Sequence, residues 1–149
     1  WNTIIMICGV GMLINVAIEA GTIDLLAAWA GSSLPVWLIP VMFSVIGAVM
    51  SFFSSTLGVV CPALFPLVPA LAETTGISPL ILFACIVIGA QSSAISPFSS
   101  GGSLVLGSCS EEEERNAMFP RLLFVAVPVS VLSATAFNAV LSVVLGVLF

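Results

Sequence analysis

The stretch Ser51-Phe52-Phe53-Ser54-Ser55-Thr56-Leu57-Gly58 lies inside the longest charge-free run of the chain, the 48 residues from Leu25 to Ala72. It puts four hydroxyl side chains and a glycine where the sequence is otherwise most apolar. Pro35 to Ala72 is 38 residues, too long for one bilayer crossing and too short for two of about 20 residues each plus a turn in water. Pro62, Pro66 and Pro69 follow, each removing a backbone donor. One arrangement accommodates the length, the hydroxyls and the prolines together, a re-entrant hairpin over 35–72. Two half-length helices would enter from one side and meet tip to tip at Ser54-Ser55-Thr56. Non-helical backbone at that depth is tolerated only where it lines a cavity or is buried in protein.

Composition supports the membrane setting. The chain is 149 residues long, 60% hydrophobic and 6% charged, against roughly 25% charged in soluble domains. The charge-free stretches Trp1 to Ile18, Leu25 to Ala72, Thr74 to Ser110 and Leu122 to Phe149 hold 18, 48, 37 and 28 residues, each long enough for a span of about 18 to 20. An all-α integral membrane protein is expected. With no Lys, no His and two Arg, nucleic acid is excluded as a partner, because binding it needs clustered basic residues. A serine nucleophile has no His, Lys or deep carboxylate as base, so an enzyme is not expected. Cys8, Cys61, Cys85 and Cys109 fall singly, without metal-ligand spacing, and read as packing residues. The chain opens on Trp1 inside an apolar segment and reads as a fragment.

The other segments take their boundaries from the same pattern. Residues 1–20 read as a transmembrane helix whose small residues Gly9, Gly11, Ala17 and Ala20 suit close helix contacts. It ends at the breakers Glu19, Gly21 and Asp24. Residues 21–34 read as an interfacial helix and loop, with Trp29 and Trp37 at headgroup level. Residues 78–109 read as a broken transmembrane helix. Ser78 is its N-cap and Pro79 its first residue. Its apolar run Leu80 to Ala90 is roughly 17 Å long at 1.5 Å per residue, and a polar loop from Gln91 to Ser103 interrupts it. Residues 110–119 read as an acidic loop, cytoplasmic because Arg115 and Arg121 are the only basic residues. Residues 120–149 read as a plain span whose Ser130, Ser133, Thr135, Asn138 and Ser142 serve helix packing.

Both interruptions hold hydroxyl, amide and glycine groups at membrane depth, and none holds a charge. Helices that break at the midplane aim N-terminal N–H groups at a carboxylate, while carbonyls of the unwound turns and C-terminal ends can ligate sodium, a hard cation that takes oxygen. A cationic substrate would find no counter-ion. The plainer reading is that Ser, Thr and Gly mark helix contacts. Two clusters, each splitting a segment of the wrong length, favour a binding role, with Phe52, Phe53 and Phe98 as walls.

The order of span, surface helix, hairpin with Ser54-Ser55-Thr56 at its tip, broken helix with Ser96-Pro97-Phe98-Ser99-Ser100-Gly101-Gly102 in its break, and final span resembles the C-terminal inverted repeat of the divalent anion:sodium symporters. It is also similar to the malonate and dicarboxylate carriers of the same superfamily. The resemblance implies that Ser54, Ser55 and Thr56 match a Ser-Asn-Thr hairpin motif, and that Ser96, Pro97, Ser99, Ser100 and Gly101 match the loop that completes the site. It further implies substrate contacts from Ser55, Thr56, Pro97, Ser99 and Ser100, and ion contacts from Ser51, Ser54, Ser55, Gly58, Ser93, Ser96 and Gly101. Two departures stand out. Ser55 replaces an Asn, losing an amide that both donates and accepts, and Pro-Phe-Ser stands where the family often has Pro-Pro-Asn. The expected function is the C-terminal half of a multi-pass inner-membrane secondary transporter for small di- or tricarboxylates. Sodium is its coupling ion, it has no other cofactor, and its partners are an N-terminal repeat and a second copy in a homodimer. A proton-coupled organic-acid permease and a non-transporting membrane subunit are the alternatives.

Overall fold

The computed structural model describes residues 2–148. Trp1 and Phe149, the outer ends of the expected first and last spans, lie outside the described residues, as do the side chains of Ala17 and Asp24. The described residues are all-helical, with no strand. In order they form α1 (Asn2–Glu19), α2 (Thr22–Ser33), α3 (Leu38–Phe53), a π-helical turn (Thr56–Val60) running into α4 (Cys61–Leu64), α5 (Leu67–Thr75), α6 (Pro79–Ser92), α7 (Ser100–Gly107), α8 (Glu112–Arg121), a second π-helical turn (Leu122–Ala126) and α9 (Val127–Leu148).

The two central helices are built for each other. Along α3 the buried residues Ile39, Pro40, Phe43, Ser44, Gly47, Ala48 and Ser51 recur every three to four positions, which places them on one face. Along α6 the buried set is Leu82, Cys85, Ile86, Gly89 and Ala90, again one face. These two faces pack together, and α9 packs across both. A cluster of Ile39, Phe43, Leu67, Val68, Leu71, Leu82 and Ile86, with neighbours from α4, fills the space between α3, α5 and α6. The chain reverses between α5 and α6 at Gly76, whose φ of 73° is left-handed and therefore suits a residue without Cβ. Trp29 and Trp37 are exposed, and a Cβ at Gly9 or Gly11 would meet nothing among the described residues.

Prolines shape the limbs. Each π-helical turn closes with the N–H of the residue after it, Cys61 to the Thr56 carbonyl and Val127 to the Leu122 carbonyl. In each case the next residue is a proline, Pro62 or Pro128. A proline ring collides with the carbonyl four residues back and has no N–H to give it; a wider turn before the ring removes the collision. Between α4 and α5, around Pro66, the axis bends by 41°.

Two features differ from the sequence expectation. The acidic stretch 110–119 is not a loop, because Glu112 to Arg121 is helical and continuous through the π-helical turn with α9. Glu112, Glu113 and Glu114 occupy its first turn and Arg121 its last, the arrangement that a helix dipole favours. Ser78 sits at the N-cap of α6, but its side chain makes no capping bond. The helix from Glu112 to Val144, 33 residues, is long and apolar enough to cross a membrane, and little of it is buried inside the chain.

Candidate functional site

The first break follows α3. Ser54 and Ser55 are both extended, with φ −139°, ψ −177° and φ −86°, ψ 129°, and the chain then turns back as a helix. Ser55 caps that helix, its Oγ accepting from the Gly58 N–H at 3.3 Å. Serine suits this position because its short side chain reaches an N–H that the first turn leaves unpaired. The Ser54 hydroxyl points back along α3 and donates to the Met50 carbonyl at 2.7 Å.

The second break follows α6 and is tighter. Successive turns run from Ala94 N–H to the Gln91 carbonyl, Ser96 N–H to the Ser93 carbonyl and Ser99 N–H to the Ser96 carbonyl, at 3.2, 2.9 and 2.9 Å. Ser99 then caps α7, accepting from the Gly102 N–H at 3.2 Å, while its hydroxyl lies 2.5 Å from the Ala94 carbonyl and 2.8 Å from that of Ser96. The loop folds so closely under the start of α7 that a Cβ at Gly102 would stand 1.9 Å from the Ser96 carbonyl oxygen, and one at Gly101 2.5 Å from that of Ala94. Both breaks thus resume as helices under a Ser-x-x-Gly cap, Ser55 to Gly58 and Ser99 to Gly102.

The breaks meet at one level of the helix pair. Ser51 Oγ and Thr56 Oγ1 are 2.7 Å apart across the first break, and Thr56 Oγ1 also lies 3.3 Å from the Ala90 carbonyl near the end of α6. In the opposite direction, the Ser93 hydroxyl donates to the Ala48 carbonyl of α3 at 2.5 Å. Aromatic rings join the outer edges: Phe98 of the second loop lies 5.7 Å from Phe52 and 6.1 Å from Phe53, and Phe119 of α8 closes edge-on against Phe98 at 5.8 Å. An apolar groove of about 330 Å³ lies beside this junction, lined by Val49, Phe52, Phe53, Val127 and Val131 with Ser93 at its edge.

Ser51, Thr56 and Ser93 are therefore brought together and buried; Ser96, Pro97 and Ser99 are buried within their own loop; Ser54, Ser55 and Gly58 are half-buried, while Ser100 and Gly101 are exposed. No described hydrogen bond joins Ser54 or Ser55 directly to Ser96, Ser99 or Ser100. Their hydroxyls divide by chemistry. Ser93, Ser99 and Ser54 spend their protons on backbone carbonyls and keep lone pairs, which suit a cation. The Ser55 and Ser96 oxygens only accept, Ser96 from the Phe98 N–H at 3.3 Å, so each keeps a proton that suits an anion.

Two residues of α9 belong to the same assembly. The Ser130 hydroxyl lies 2.6 Å from the Ser92 carbonyl at the end of α6 and 2.8 Å from the Ala126 carbonyl of its own helix. Asn138 reaches Ser44 and Cys85. Their polarity was visible in the sequence, but which of α9's polar residues face α6 depends on how the helices pack. Cys61 and Cys85 are buried, Cys8 is exposed, and no group of three His, Cys, Asp or Glu capable of holding a metal ion occurs among the described residues. No family model, curated protein or solved structure matches the chain.

Proposed function

We propose that the chain is the C-terminal half of a sodium-coupled secondary transporter for small di- or tricarboxylate anions, a multi-pass protein of the cytoplasmic membrane. It works with an N-terminal repeat and pairs as a homodimer. The observation that carries this reading is the hydrogen bond from Thr56 of one break to the Ala90 carbonyl beside the other, which makes two interruptions one locus. The lengths of α3 and α6 also support it. At 16 and 14 residues they extend about 24 and 21 Å, short of a hydrocarbon core of about 30 Å, the lengths that interrupted spans would have.

In this reading the coupling ion takes lone pairs of Ser51, Thr56 and Ser93 and the carbonyls that end α6. The carboxylate takes the N–H groups that open the helices at Thr56 and Ser100, with protons from Ser55 and Ser100. Helix starts supply partial positive charge and helix ends partial negative charge, so no charged side chain is required. Rigid-body movement of the two breaks against the other repeat provides alternating access.

The test is uptake of radiolabelled succinate or malonate by the full-length protein with Ser55→Ala, Ser99→Ala and Ser100→Ala. The Ser100 hydroxyl makes no hydrogen bond with the described residues, and its main-chain carbonyl, which accepts from the Ser103 hydroxyl, is kept in Ser100→Ala, so the substitution leaves the fold's bonds intact. Sodium-dependent uptake should fall in all three with membrane insertion unchanged; unchanged uptake in all three sinks the assignment. Uptake driven by a pH gradient without sodium would instead make the protein a proton-coupled permease. One observation favours a non-transporting subunit: the hydroxyls of Ser54, Ser93 and Ser99 are all engaged by backbone carbonyls of this chain, as in helix packing. Absence of uptake by the unaltered protein would support it.

A further inference from the structure

Asn138 is wholly buried in α9. Its Nδ2 donates to Ser44 Oγ on α3 at 2.6 Å and to the Cys85 carbonyl on α6 at 3.4 Å, while its Oδ1 has no partner among the described residues. Turning the amide over is no remedy. Oδ1 would then accept the Ser44 proton but stand 3.4 Å from the Cys85 carbonyl, acceptor against acceptor, and both N–H groups would be stranded where one oxygen was. Ser44 is buried as well. It accepts from Asn138, and its own hydroxyl proton reaches no acceptor among the described residues. One junction therefore holds an unused acceptor and an unused donor on neighbouring side chains, whereas the large majority of buried side-chain polar atoms have a partner.

We propose that Ser44 and Asn138 hold a single buried water molecule where α3, α6 and α9 meet. A water accepts the Ser44 proton and donates to Asn138 Oδ1, and so uses both free valences at once. A cation would sit against the Nδ2 hydrogens and the hydroxyl proton; an anion would sit against Oδ1 and the Cys85 carbonyl. An apolar occupant would leave both groups unpaired. What remains is small, neutral and able both to donate and to accept. The site is distinct from the cluster at the breaks, since Ser44 precedes Ser51 by seven residues, about 10 Å along α3, and it does not depend on the transport reading.

The test is X-ray hydroxyl-radical labelling of the full-length protein in its membrane or detergent, read by mass spectrometry. Radicals generated from a bound water oxidise adjacent side chains, and cysteine is a sensitive reporter. Cys85, fully buried and supplying the carbonyl that Asn138 reaches, should be oxidised at a rate approaching that of the partly exposed Cys109. The buried Cys61 should stay unlabelled. Asn138→Leu and, separately, Ser44→Ala should lower Cys85 labelling at least fivefold without changing Cys109. Absence of labelling at Cys85 in the unaltered protein overturns the proposal without recourse to either variant, and so does labelling that persists in both.

Discussion

Gly89 of α6 rests on the main chain of Ser44 of α3: a Cβ at Gly89 would stand 2.1 Å from the Ser44 carbonyl oxygen and 2.6 Å from its Cα. Nothing flexible lines that contact, so an added methyl can be accommodated only by moving one helix. Gly47 is less confined, with a Cβ 3.1 Å from the Ile86 carbonyl. Small residues that let backbones touch give two helices a close van der Waals contact.

Gly89→Ala is therefore expected to destabilise the protein by about 2 kcal/mol or more, as overpacking does in tight cores. Gly47→Ala should cost less. Gly9→Ala, where a Cβ meets nothing among the described residues, should be neutral or slightly stabilising through helix propensity. Thermal unfolding in detergent ranks the three; equal melting temperatures for Gly89→Ala and Gly9→Ala would refute the close crossing.

A second prediction concerns the bond across the first break. Ser51 Oγ and Thr56 Oγ1, 2.7 Å apart and both buried, hold the end of α3 to the start of the returning limb. Ser51→Ala and Thr56→Val should each lower stability, and the double variant should lose less than the sum. A coupling of about 1 kcal/mol is expected, the net value of one such hydrogen bond. Additive losses would mean that the two hydroxyls do not depend on each other.

Much of this could be read along the chain because polarity interrupts an apolar background. Ser54-Ser55 and the loop after Ser92 stand out for that reason, and both become breaks in the helices. The acidic segment could not be read the same way. Glu111 to Asn116 is polar all round, and Ala117-Met118-Phe119 is too short a run to set an apolar period, so no stripe marks it as a helix; its order comes from the glutamates in its first turn and from continuity with α9. The role of Gly89 was hidden too, since a glycine inside an apolar run says nothing of which backbone approaches it. Ser130 illustrates the limit most clearly. The Ala126 and Val127 carbonyls are the local acceptors its sequence implies for its one hydroxyl proton, but the nearest acceptor, the Ser92 carbonyl, is 38 residues away and is within reach only because α9 crosses α6.

The last prediction follows from the π-helical turn at Leu122–Ala126. Pro128 cannot donate to the preceding turn, and the widened turn before it keeps the ring clear of the Phe124 carbonyl. Pro128→Ala restores an N–H and removes the ring, so the turn should tighten to regular α-helix. Losing one residue's width there rotates the two flanking helices relative to each other by about 100°, the angle per residue of an α-helix. α9 is tethered through Ser130 to the Ser92 carbonyl and through Asn138 to Ser44 and Cys85, whereas α8 is exposed throughout. The rotation should therefore fall on α8, carrying Phe119 away from Phe98. Hydrogen–deuterium exchange should show slower exchange around 122–128, where a widened turn has become regular, and faster exchange in the loop 94–100, which has lost its aromatic clasp. If the loop exchanges as before, Phe119 does not hold it, and α8 is only a connection.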